Sequence, residues 1–203
     1  MNHSTIALVL IALLAVNADI PKAWAADTGI KLPPRQMTWE ADKVDIDLHS
    51  KIAVAYKPVI KQGEWTVIGD RARLDWVNQD NSDWQIGGSV QIRGAATEIN
   101  ADSGTLKVSE KTVRTIKLQG NPATFRQSSP TLPEAIHGYS NEMDFDLESR
   151  LVRFTGNANA AMGEYEVAAS AITYDMDAQR LSTRPILPGQ RTRITIPAPN
   201  RAQ

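Results

Sequence analysis

No cysteine occurs in the 203 residues, so no disulfide can staple this chain, and its stability rests on an apolar core and hydrogen-bonded strands. Neither sign of charge dominates. With 22 basic against 23 acidic residues and a pI near 6.3, the chain lacks the field that nucleic acid selects, and no nucleic-acid partner is expected. Long apolar runs are missing as well: the longest, Ile6 to Val16, is far shorter than the roughly 20 residues that cross a bilayer. Histidine is scarce. His3, His49 and His137 stand at no metal-ligand spacing from one another, and there is neither a G-x-S-x-G elbow nor a glycine-rich phosphate loop. An enzyme leaves a constellation of nucleophile, base and charge stabiliser, and none is legible; catalysis, a metal and a cofactor are not expected.

What is present begins with the layout expected of an export signal. The Ile6–Val16 run is followed by Asp19, Pro21 and the small-residue sequence Ala23-Trp24-Ala25, the layout of a secretory signal peptide. Cleavage is expected after Ala25, with Ala18 as a second site. The expected map is a signal peptide over 1–25, a flexible segment over 26–38, one domain over 39–197 and a disordered tail over 198–203.

From Val44 to Ile196 apolar and polar residues alternate with the period of half-buried strands. Val44–Leu48, Leu74–Trp76, Ser89–Arg93, Thr105–Val108, Thr115–Leu118, Met143–Leu147, Ile172–Met176 and Arg193–Ile196 carry the pattern. Gly87-Gly88, Gly120-Asn121-Pro122 and Gly156-Asn157 read as turns between them, and Ser128–Glu134 as a loop. The chain also repeats. Asp75 to Gly88 and Asp144 to Asn157 are both thirteen positions apart, and a weaker copy starts near Ala41. Each unit reads as a hairpin that cannot bury its apolar face alone, so stacked units share one long core. The predicted fold is all-β, an elongated open roll or sandwich of stacked antiparallel hairpins.

Asp144, Asp146 and Glu148 could be imagined as a calcium or acid/base cluster, but they alternate with Met143, Phe145 and Leu147, and a solvated strand face explains them. Trp76 sits at an apolar strand position and Trp65 just precedes the strand-like Val67-Ile68, so core packing outweighs sugar stacking for both.

The segment Gly120-Asn121-Pro122-Ala123-Thr124-Phe125-Arg126-Gln127 resembles the G-x-P-A-T-F-x-Q segment of the LptA, or OstA-like, family of periplasmic lipopolysaccharide-transport proteins. Ile99–Asp102, His137-Gly138-Tyr139, Phe154–Ala158 and Ile172-Thr173-Tyr174 stand in that family's order, so the likeness runs from about Trp39 to Pro197. The resemblance implies an open twisted β-jellyroll in the periplasm of a Gram-negative envelope. Its interior would shelter the lipid A acyl chains of lipopolysaccharide. It also implies head-to-tail self-association, bridging an inner-membrane extraction complex to an outer-membrane translocon. The expected groove wall is Ile92, Leu106, Leu118, Phe125, Met143, Phe145, Phe154 and Tyr174. The expected assembly edges carry Val44 and Ile46 at one end and Arg193, Ile194 and Ile196 at the other, with Pro197 and Pro199 ending the second edge. A membrane-anchored sister component of the same pathway and an exported carbohydrate-binding β-sandwich are the alternatives. The short apolar run speaks against the first, and the absence of a clear aromatic platform against the second.

Overall fold

A computed structural model describes residues 37–196 apart from 76, 79–80, 95, 129, 132–133 and 186–188. The expected signal peptide and tail, the 26–36 part of the N-terminal segment, and Trp76, Pro197 and Pro199 lie outside the described residues. Among the described residues every regular element is a strand. They are β1 (Met37–Glu40), β2 (Lys43–Asp47), β3 (Ile52–Tyr56), β4 (Val59–Gln62), β5 (Trp65–Ile68), β6 (Arg71–Asp75), β7 (Asn81–Gly94), β8 (Thr97–Ser109), β9 (Thr112–Gln127), β10 (Ile136–Asp146), β11 (Leu151–Met162), β12 (Tyr165–Asp175), β13 (Arg180–Arg184) and β14 (Arg193–Thr195). All pairings are antiparallel and form one open sheet, the all-β roll of stacked hairpins that the alternation predicted and the β-jellyroll that the resemblance implied.

The glycine motifs do something other than turn the chain. Gly87-Gly88, Gly120-Asn121-Pro122 and Gly156-Asn157 lie inside β7, β9 and β11, where ladder registers slip. Gly88 (φ 74°) and Ser89 (φ 49°) bulge β7, and Gly156 (φ 73°) and Asn157 (φ 52°) bulge β11. A positive-φ pair serves a bulge as well as a hairpin, which is why the sequence misread them. The bulges stack strand after strand, so each long strand bends at one level and the sheet folds into two facing halves. Polar groups hold the bend: Asp70 N–H donates to the Gly87 and Gly88 carbonyls at 3.0 and 2.9 Å, Asn121 N–H to Asp102 at 3.1 Å, and Asn157 Nδ2 to Asn141 Oδ1 at 2.9 Å.

The first half-sheet runs β2-β3-β6 and then through residues 83–87 of β7 to residues 171–175 of β12, ending on β13. The second runs β1-β4-β5 and then through residues 91–93 of β7 to residues 166–168 of β12, ending on β14. Forking at β7 and again at β12 leaves four edge strands, two at each end.

Along the rim of the first half a turn recurs that spacing at thirteen did not capture. Asp47, Asp75, Asp146 and Asp175 each accept hydrogen bonds from the N–H groups two and three residues on, at 2.8 to 3.2 Å. Three of these turns close on a residue with positive φ, Lys51, Arg150 and Gln179. The short acceptor carboxylate satisfies amides that the tight turn removes from the ladder. The repeat therefore pairs Asp75 with Asp146, two residues beyond the Asp144 that the sequence suggested.

Candidate functional site

Antiparallel partners share a face, so register sorts the side chains without ambiguity. All eight expected wall residues point between the halves, and none is more than 2% exposed. They are a filled core. Phe125 of the second half meets Phe154 and Tyr174 of the first edge-on, with centroids 5.6 and 5.7 Å apart. Trp65 meets Phe145 at 4.8 Å and Trp39 meets Trp84 at 5.8 Å, again across the layers. Such pairs contribute roughly 0.5–1.5 kcal/mol each beyond burial. The three tryptophans confirm core packing for Trp65 and add two wall residues that the sequence reading left out.

A polar atom without a partner lies within this interior. The Tyr174 hydroxyl is buried without a hydrogen-bond partner, and burial, aided by the neighbouring Asp175 carboxylate, pushes its pKa up to about 12. Gln127 Oε1 is likewise orphaned where β9 reaches the rim.

Opposite the bend, polar contacts lace the layers together at the N-terminal end. Gln62 of β4 exchanges two hydrogen bonds with the Val113 backbone of β9, at 2.9 and 2.7 Å. Arg150, in the turn after β10, pairs with Glu64 at 2.6 Å and Asp177 at 2.7 Å and lies over the Trp65 ring. Farther along, Gln179 Nε2 donates to Thr131 Oγ1 at 2.6 Å. None of these residues stood out in the sequence.

At both ends the apolar strip emerges into solvent. Val44 and Ile46 pair with the buried Ala55 and Ala53, so they lie on the inner face, yet they are 37% and 41% exposed because β2 has no outer neighbour. At the far end Ile194 pairs with inward Val167 and is 64% exposed, and Leu181 pairs with buried Tyr174. The expected edge residues Val44, Ile46 and Ile194 are thus inner-face positions on edge strands. Arg193, which pairs with Ala168, points to the outer face, and Ile196 lies just past β14 and is exposed. The edge strand β13 belongs with them; Arg180-Leu181-Ser182-Thr183-Arg184 carries the alternation that could have revealed it.

The carboxylates considered for chemistry are solvated or structural. Asp144 is outward and pairs loosely with Lys117 at 4.0 Å, Asp146 caps its turn, and Glu148 pairs with Arg114 at 3.2 Å. Among the described residues no group of three histidines or carboxylates could hold a metal.

A sequence model described as "LptA/(LptD N-terminal domain) LPS transport protein" matches residues 75–180, more than half of the chain. No curated protein matches by sequence. Among solved structures, the chain is similar to LptH from Pseudomonas aeruginosa, titled the LptA homologous periplasmic component of the conserved lipopolysaccharide transport device. The identity is 15%, the TM-score 0.51, and the match covers 81% of this chain and 96% of that one. At that identity the likeness speaks for the β-jellyroll fold alone.

Proposed function

This chain belongs to the LptA/LptD N-terminal family of lipopolysaccharide-transport proteins, and from that membership we propose that it is a periplasmic carrier which shelters lipid A acyl chains between its two half-sheets. It performs no reaction. The observation that carries the reading is the continuous apolar strip, which runs from Val44 and Ile46 through the buried wall to Leu181 and Ile194 and is uncovered at both ends. Burying an acyl chain is worth about 0.8 kcal/mol per methylene, so a chain of about a dozen carbons gains on the order of 10 kcal/mol on leaving water. That gain is set against parting layers whose rim is held by a few polar contacts at Gln62, Arg150 and Gln179.

The strand order also supports the bridging role. β13 and β2 end the same half-sheet, and β14 and β1 end the other. Counting alternations along each half, β13 runs opposite to β2 and β14 opposite to β1. A second copy placed end to end therefore continues both halves as antiparallel ladders, satisfying the free N–H and C=O groups of all four edges. The strip of one copy then runs into the strip of the next, from the inner-membrane extraction complex toward the outer-membrane translocon.

The test is a photo-crosslinking residue at Phe145 or Leu118, with Asp144 or Lys117 one position away as the outward control. Capture of lipopolysaccharide inward and not outward is expected; equal capture on both faces of a folded protein sinks the sheltered-chain reading. Mass spectrometry of the organic extract of natively purified protein identifies the bound lipid.

A further inference from the structure

Buried polar side chains of this fold are satisfied almost throughout. The Thr112 hydroxyl donates to the Ser109 carbonyl at 2.7 Å, the Ser140 hydroxyl to the Glu142 carbonyl at 2.6 Å, and Asn159 Nδ2 to the Glu166 carboxylate. Among the described residues three buried side-chain atoms have no hydrogen bond, and one of them, Arg150 Nε, stands 2.7 Å from an Asp177 carboxylate oxygen and is satisfied by that ion pair. The Tyr174 hydroxyl and Gln127 Oε1 are left. Each lowers the stability of the free protein, because a polar atom that has shed its water regains nothing until it is paired.

The fold brings both to one seam. Tyr174 is inward between Val152 and Leu181, one residue before Asp175, whose carboxylate closes the rim of the first half. Gln127 ends β9 and is inward between Thr97 and Ile136, at the rim of the second half. Phe125, on the same face of β9 two residues earlier, meets the Tyr174 ring across the layers, with centroids 5.7 Å apart. The two side chains thus flank one ring from opposite layers, near the rims. Tyr174 is fully buried and Gln127 is 5% exposed.

Their chemistry is complementary. The hydroxyl keeps its proton at neutral pH, because burial pushes its pKa up to about 12, so it is a donor in need of an acceptor. Gln127 Oε1 accepts, and it needs an N–H or O–H. Resting on the carrier reading above, we infer that Tyr174 and Gln127 are polar contacts for the sheltered lipid, and that the group they take is a secondary amide joining an acyl chain to its headgroup. The amide carbonyl accepts from the Tyr174 hydroxyl, and the amide N–H donates to Gln127 Oε1. An ester satisfies the first atom and leaves the second orphaned, while a free carboxylate sets negative oxygen against Gln127 Oε1. The rims are where such a linkage belongs: the tail lies along the apolar wall, the headgroup stays in water, and the linkage falls at the boundary. Both protein atoms have already lost their water, so pairing them costs no further desolvation on the protein side.

The experiment titrates the full protein by calorimetry with three amphiphiles below their micellar concentrations. They are N-decanoylglucamide, N-decanoyl-N-methylglucamide, which lacks the N–H, and decyl glucoside, which has no carbonyl. Affinity is expected to fall in that order, by about three- to tenfold at each step. Tyr174→Phe is expected to close the step between the N-methyl amide and the glucoside, and Gln127→Leu the step between the two amides, while glucoside binding changes in neither. Because Tyr174→Phe keeps the ring and removes an unpaired atom, it is expected to fold at least as stably as the unaltered chain, which denaturant unfolding checks. Selective loss of affinity at undiminished stability is a result that a packing role does not give. Steps that persist in both variants, an equal loss for all three amphiphiles, or a destabilised Tyr174→Phe overturns the inference. Failure of the unaltered chain to bind any of the three instead removes the carrier reading on which it stands.

Discussion

Strands β10, β11 and β12 each pass through both half-sheets, and the two halves of the same strands are built differently. In the first half their inward residues are Met143, Phe145, Val152, Phe154, Ile172 and Tyr174, all essentially fully buried. In the second half they are Gly138, Ser140, Ala158, Ala160, Val167 and Ala169, with the larger Ile136 and Met162 confined to the rim. The alternation of inward and outward positions is equally clear in both, so period alone does not distinguish them; side-chain volume does. Bulky rings from one layer rest on a floor of small residues in the other. A Cβ added at Gly138 would lie 2.7 Å from the Phe154 ring. The rings supply most of the interior's apolar surface, and the small residues opposite let the layers approach closely. The carrier reading proposed above requires close-packed volume between the layers to be given up before a ligand enters.

The comparison breaks most visibly at Phe154. Phe154→Ala removes the ring that spans the layers and is expected to cost about 3–5 kcal/mol in denaturant unfolding. A loss below about 1 kcal/mol would mean that the layers are not packed through that ring. Gly138→Ala is expected to cost about 1–3 kcal/mol by overpacking against the same ring. The pair sharpens the argument. In a Phe154→Ala background the added methyl at position 138 points into vacated space, so its cost should vanish, and additive losses would show that the clash lies elsewhere.

A smaller effect of opposite sign belongs to Tyr174, in the bulky half. Its hydroxyl is buried without a partner, and an unsatisfied buried polar atom is a cost that removing the atom relieves. Tyr174→Phe is therefore expected to raise stability by up to about 1 kcal/mol, measured by the denaturation midpoint at unchanged slope. Destabilisation would mean that the hydroxyl has a partner in solution.

These contrasts also mark what the sequence could reveal. All eight residues of the expected wall lie on the inner face: six stand in segments marked by alternation, a local property of a strand's period of two, and Phe125 and Phe154 in segments marked by the family resemblance. Gly88, Pro122 and Gly156 were assigned to turns because positive φ and the breaking of a ladder are common to turns and bulges, and only the partner strand decides between them. The forks at β7 and β12 were illegible for a related reason. Whether β5 or β6 pairs with β7 depends on which side of the Gly87–Val90 bulge is meant, and that is a long-range fact. Arg150 illustrates the limit for the rim: its partner Glu64 is 86 positions away, and no spacing rule joins them. Asp47, Asp75, Asp146 and Asp175, by contrast, were legible in principle, since an Asp at a strand end followed by an apolar residue recurs in each; the repeat was sought at the glycines instead.

That repeat gives the last and smallest effect, and it separates the two rims. On the first half four turns are closed by aspartates, whereas on the second Gly63 and Gly163 make turns through positive φ of 61° and 58°. Hydrogen bonds from the Ser50 hydroxyl and then the Ser50 and His49 amides hold the Asp47 carboxyl below its ordinary range; the Asn78 side-chain amide, then the Asn78 and Val77 amides, do so for Asp75. A depressed folded-state pKa contributes stability that is present above the unfolded value, near 3.9, and is lost as pH falls through the folded value. Acid should therefore loosen the carboxylate-capped rim, while the conformation of the glycine turns involves no proton. The amide resonances of Ser50 and Asn78 are expected to titrate with midpoints below about 3.9. In Asp47→Asn/Asp75→Asn, whose side-chain oxygens can still accept from the same amides, those titrations should disappear while the turns persist. Midpoints at or above the free-aspartate value would mean that the carboxylates do not hold the rim, and the contrast between the two rims would then rest on glycine alone.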